Sequence, residues 1–143
     1  MERTDTDVDT FLRGVEGRQG DDMRALDELI AAELAGLERV MWEGPMWGGT
    51  DQLIVGYGGI SQPRPRGASV EWFLVGLAAQ QRHLSIYVNA AEDGAYLVKA
   101  AADRLGKVKV GSAAITFATA ADVDLDALRS LLCRARELTP DAR

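Results

Sequence analysis

One cysteine, Cys133, and one histidine, His83, stand in 143 residues. A lone thiol forms no internal disulfide, and with a lone imidazole it builds no thiolate or multi-histidine metal cage. Basic residues are also in deficit, 16 Lys and Arg against 22 Asp and Glu, for a net charge of -6. That balance repels phosphate and argues against a nucleic-acid partner. No apolar run approaches the roughly 20 residues that cross a bilayer. The opening Met1-Glu2-Arg3-Thr4-Asp5 lacks the apolar segment of a signal peptide. A cytoplasmic protein without a membrane partner is expected. Ser61, Ser69 and Ser85 have no nucleophile-elbow context. No catalytic residue is assigned, and a non-enzymatic protein is expected.

What is present suits a single domain over 1–143, with an ordered part of about 8–138. Hydrophobic residues make up 47% of the chain, enough for one contiguous core. Asp7 or Asp9 caps a short helix carrying Val8, Phe11, Leu12 and Val15, and Gly17 to Gly20 breaks it. Met23, Leu26, Ile30, Leu34 and Leu37 then recur at helical spacing, predicting a second helix from about Asp21 to Leu37. Asp27 and Glu28 lie off that stripe.

Strand signals follow over Leu53–Tyr57, Val70–Leu77 and His83–Val88, with Gln80-Gln81-Arg82 as a turn. Pro63 and Pro65 make the segment from Gln62 to Gly67 a loop, because proline donates nothing to a ladder. Asn89 and Glu92 have capping-box spacing, predicting a helix to Leu105 that stops at Gly106. A basic loop, Lys107–Ser112, leads to a strand over Ala113–Phe117. Asp122 and Asp124 start a last helix with Leu125, Leu128, Leu132 and Ala135 on one stripe. The expected fold is α+β: a two-layer sandwich of about four to five antiparallel strands with helices on one face. An exposed strand edge near Val70–Leu77 or Ile115–Phe117 would allow a homodimer.

The segment Met41-Trp42-Glu43-Gly44-Pro45-Met46-Trp47-Gly48-Gly49 gathers two of the three tryptophans beside a bend. With Val75-Gly76-Leu77, His83-Leu84-Ser85-Ile86-Tyr87, Leu105–Ser112 and Asp122-Val123-Asp124-Leu125 it resembles the successive signatures of the YdhG-like domain-of-unknown-function family, over about residues 8–133. The resemblance implies a small bacterial cytosolic α+β domain. Some members are described as frataxin-like iron chaperones. Gln80-Gln81-Arg82 stands where many members carry a lysine, so an anion contact there falls to Arg82.

Trp42 and Trp47 are either a core plug or, with Tyr57, Trp72 and Tyr87, the wall of a pocket for a small molecule or a segment of a partner protein. Arg82, Lys107 and Lys109 either hold a carboxylate or phosphate or form a solvated basic surface. Asp21, Asp22, Asp27 and Glu28 either bind iron through oxygen ligands or make a solvated helix face, with Arg24 spaced to pair with Glu28. No other cofactor is implied. His83 reads as a partly buried structural histidine, and Cys133 as a buried, inert thiol. The leading expectation is a non-enzymatic binding module, with an iron-binding chaperone as the alternative.

Overall fold

Residues 1–45, 49–63 and 65–143 are described by the computed structural model. A two-residue strand β1 (Glu2–Arg3) precedes helices α1 (Val8–Gly14) and α2 (Gly17–Glu33). Asp7 caps α1 by accepting the Thr10 amide at 2.9 Å, and that bond, with the Thr10 hydroxyl, lowers the carboxyl's pKa. The expected break over Gly17–Gly20 is instead the start of α2. Gly20 is required there by a close approach: a Cβ on it would lie 1.9 Å from the Val15 carbonyl oxygen. Arg24 donates to the Leu12 carbonyl at 2.7 Å and the Val15 carbonyl at 3.2 Å, stitching the end of α1 to α2.

Strands β2 (Arg39–Pro45), β3 (Asp51–Gln62), β4 (Val70–Ala79) and β5 (Leu84–Val88) form an antiparallel meander. Next come a small hairpin of β6 (Ala91–Glu92) and β7 (Ala95–Tyr96) and then helix α3 (Leu97–Ala101), which tightens into a 3-10 turn to Arg104. Strands β8 (Lys109–Val110) and β9 (Ala114–Phe117) and helix α4 (Leu125–Leu138) complete the chain. The main sheet is wholly antiparallel, in the order β1-β2-β3-β4-β5-β9-β8. The α+β class with helices on one face is as read from the sequence. The seven strands exceed the expected four to five, because β2 and two short edge strands are added.

Two further expectations are corrected. The helix expected from Asn89 begins only at Leu97, because Asp93 (φ 53°) and Gly94 (φ 80°) make a tight hairpin turn. The Asn89 side chain donates to the Phe73 carbonyl at 2.9 Å rather than capping a helix. The strands expected to offer a free edge, Val70–Leu77 and Ile115–Phe117, are interior, and the described edges are β1 and β8.

The main core lies between helices and sheet. Met23, Leu26, Ile30 and Leu34 of the α2 stripe meet Val55, Leu74, Val75 and Leu77, while Leu128, Leu132 and Ala135 bring in α4. Main-chain bonds also reach past the expected ordered span: Arg143 exchanges bonds with Gly59 at 2.9 Å, and its carbonyl accepts from Glu38 at 3.0 Å. Among the described residues, no helix is long and apolar enough to cross a membrane.

Candidate functional site

The aromatic residues divide between the two faces of the sheet. Trp42, Trp72, Phe73 and Tyr87 gather on the face that carries no helix, with Ile54 and Ala78. Gly56 and Gly76 are cross-strand partners there. A Cβ on Gly56 would lie 2.5 Å from the Trp42 ring, and one on Gly76 would lie 2.7 Å from Phe73. The glycine pair therefore lets two rings lie flat on the backbone. Trp42 meets Phe73 edge-on at 5.5 Å between centroids, Trp72 stacks on Phe73 at 4.9 Å, and the Arg3 guanidinium stands 5.9 Å from the Trp42 ring. Trp42 is only 2% exposed. Its indole fills space on this face rather than walling a hollow. Tyr87 is partly buried, and burial raises its phenol's pKa. Trp47 lies outside the described residues.

Tyr57 does not join this group. It points into the helix-side core and donates to Asp27 at 2.6 Å. Arg39 donates to both oxygens of Asp27, at 2.9 and 2.7 Å, and reaches Asp9 at 2.9 Å. The Asp27 bond, foremost, raises the Arg39 pKa, and burial, followed by the Asp27 charge, pushes the Tyr57 phenol well up. This bidentate, buried set clamps α1, α2, β2 and β3 together.

The four carboxylates proposed for iron consequently face different ways. Asp27 is committed to Arg39 and Tyr57, and Asp22 accepts the Ala120 amide at 3.1 Å. Exposed Asp21 pairs with Arg24 at 3.0 Å, the partner expected for Glu28. Glu28 is exposed. Among the described residues no three His, Cys, Asp or Glu side chains come together as metal ligands.

Arg82, Lys107 and Lys109 are all exposed, but they stand on separate elements. Arg82 belongs to the β4–β5 turn, closed by the Gln80 amide donating to the His83 carbonyl at 2.8 Å. Lys107 follows the 3-10 turn, and Lys109 is in edge strand β8 opposite Thr116. His83 is exposed, not partly buried as expected, because it sits in the turn ahead of β5. Cys133 is likewise exposed rather than buried: the stripe Leu128, Leu132, Ala135 faces the core, and its neighbour turns outward. Hydrogen bonding to Glu137 raises the thiol's pKa, which leaves it unactivated.

A groove of about 690 Å³ opens where the ends of β3 and β4 pass beyond α1. Phe11, Val15, Leu53 and Ala79 supply apolar wall, while Asp51, Gln81, Arg82 and His83 bring polar groups to the same opening. Leu53 shares the strand face of buried Val55 and Tyr57, yet is 46% exposed because α1 has already ended at Gly14. Gln19 fixes the turn by donating to the Gln80 carbonyl at 2.9 Å. Among the described residues of the expected ligand-binding set, Arg82 is the one that lines this groove. Leu53, Phe11 and Val15 are the residues that sequence reading missed as a site; an apolar residue on the inward strand face with no helix left to cover it was the available signal.

A second groove, about 780 Å³, runs between α3 and α4 over Leu97, Ala101, Ala127 and Leu131. Its Glu92 and Arg134 are paired to each other, an interaction that lowers the Glu92 pKa and raises that of Arg134. Arg82 has no ion-pair partner among the described residues, and the same holds for Arg104 of the second groove. No family model matches the chain, and neither the curated proteins nor the solved structures yield a match.

Proposed function

We propose that this protein is a non-enzymatic binding module whose ligand, a small molecule or a segment of a partner protein, occupies the groove between α1 and the β3–β4 ends. The observation that carries the reading is Leu53: a large apolar side chain left 46% exposed inside a concave site, beside a guanidinium with no described counter-ion. Its volume falls within the few hundred to 1,000 Å³ usual for ligand sites, roughly 300 at the lower end. The resemblance to the YdhG-like family is compatible with a small binding domain and supplies no chemistry against it. The described lining supplies apolar contact area and one guanidinium, which is the chemistry of binding.

A fragment screen by saturation-transfer NMR tests this. Hits on the wild-type chain should disappear in Leu53→Asp, which places a charge on the wall of the groove at a position 46% exposed, with folding checked by the amide spectrum. Hits that persist undiminished in a folded Leu53→Asp protein would refute the groove as the site.

A further inference from the structure

We infer that the groove selects a monoanion with an apolar body, a carboxylate above all. The inference rests on the reading of this groove as the binding site and adds the chemistry of what it takes. Arg82 has no ion-pair partner among the described residues, a state it shares with Arg13, Arg18, Arg66, Arg104 and Arg136, but among the described arginines it is the one that lines this groove. A guanidinium presents a planar fork of donors that matches a carboxylate in bidentate fashion. The imidazole of His83 lies next to it, exposed at the same opening, with the Gln81 amide alongside.

The rest of the groove sets the size and charge of the guest. Phe11, Val15, Leu53 and Ala79 favour an apolar body, since each covered Å² of apolar surface contributes about 25 cal/mol. Asp51 shares the opening, so a dianion or polyanion that satisfies Arg82 also faces a carboxylate. The chain's net charge of -6 opposes polyanions further. Gln80 does not compete for the guest: its side chain is engaged with Gln52 at 3.0 Å and with Ser85 at 2.8 Å. One positive fork, one apolar wall and one opposing negative charge together specify a single negative charge on a hydrophobic body.

The test is a protein-observed NMR titration of the full chain with phenylbutyrate, with its uncharged counterpart phenylbutanol, and with inorganic phosphate. Phenylbutyrate is expected to shift the amides of 51–53 and 81–83 saturably, about ten-fold more tightly than phenylbutanol. Phosphate should be weaker than phenylbutyrate. Arg82→Gln should remove the preference for the carboxylate while leaving the alcohol's affinity unchanged, and Arg82→Lys should restore part of it. Equal affinity for phenylbutyrate and phenylbutanol at these amides overturns the anion selectivity and leaves the groove standing as a site. Tighter binding of phosphate than phenylbutyrate also overturns it. Shifts by none of the three probes at these amides overturn the selectivity, and the groove reading falls separately if the fragment hits survive Leu53→Asp.

Discussion

Asp27 shows how a residue's place on a helix can be legible in sequence while its role is not, since it is neither an iron ligand in a described cluster nor part of a solvated face. It sits off the apolar stripe of α2, the usual place of a solvated acid, yet it is only 9% exposed. Its partners, Arg39 and Tyr57, are 12 and 30 residues away in the chain, beyond anything helical periodicity can register. Removing Asp27 takes two charge-assisted bonds from Arg39, which keeps Asp9, and leaves the buried Tyr57 hydroxyl without its acceptor. Asp27→Ala should therefore lower unfolding free energy by about 2 kcal/mol, read from urea denaturation. Tyr57→Phe should cost about 1–2 kcal/mol, because Asp27 keeps both Arg39 bonds. The Tyr57 phenol is raised by burial and by the Asp27 charge, so folding favours its neutral form. Its contribution is complete below the ordinary tyrosine value of about 10 and falls as pH rises above it. Unfolding curves at alkaline pH should show a smaller loss of stability in Tyr57→Phe than in the wild type. Gly56→Ala should destabilise by about 1–3 kcal/mol, since the new methyl would press into Trp42 at 2.5 Å; a change of less than half that in thermal unfolding would contradict the flat-ring packing.

Among the elements, those with strong periodicity or a cap were legible. Asp7 and Asp124 both stand as N-caps, and α4 carries its stripe of Leu128, Leu132 and Ala135 into the core. Asp124 accepts the Ala127 amide at 3.0 Å, so Asp124→Ala should cost about 1 kcal/mol in a thermal melt. Gly106 stopped its segment as expected, at φ 96°. Elements settled by contacts distant in sequence were not legible. Strand β2 was read as a bent aromatic segment because Gly44 and Pro45 close it, while its ladder to β3 is a tertiary fact. The Asn89–Glu92 spacing favoured a helix, but Asp93-Gly94 turned the chain into a hairpin within that span, and the cap-like residues found partners elsewhere: Asn89 at Phe73, Glu92 at Arg134. The Asp-Gly pair was a visible turn signal that the capping spacing outweighed.

At the scale of the molecule, the sheet has one face under helices and one face closed by its own rings. The tryptophan-rich segment could be read in the sequence as a core plug or as a pocket wall, and its described tryptophan, Trp42, joins a packed aromatic layer. Composition could signal that aromatics cluster; it could not say on which face, because that depends on the Gly56–Gly76 pairing across strands. The concave site lies at the sheet's other face, where α1 stops short and Leu53 is left uncovered. Among that site's described residues, Arg82 was expected as a ligand contact and His83 as a structural histidine, since a groove made by the length mismatch of a helix and a hairpin has no local motif. The most direct measurement is the amide chemical-shift map of the full chain against a fragment library. The expected result is a saturable set of shifts confined to residues 51–53, 79–83 and the end of α1. Shifts confined to the α3–α4 groove, or to the aromatic layer around Trp42 and Trp72, would contradict the assignment of the site.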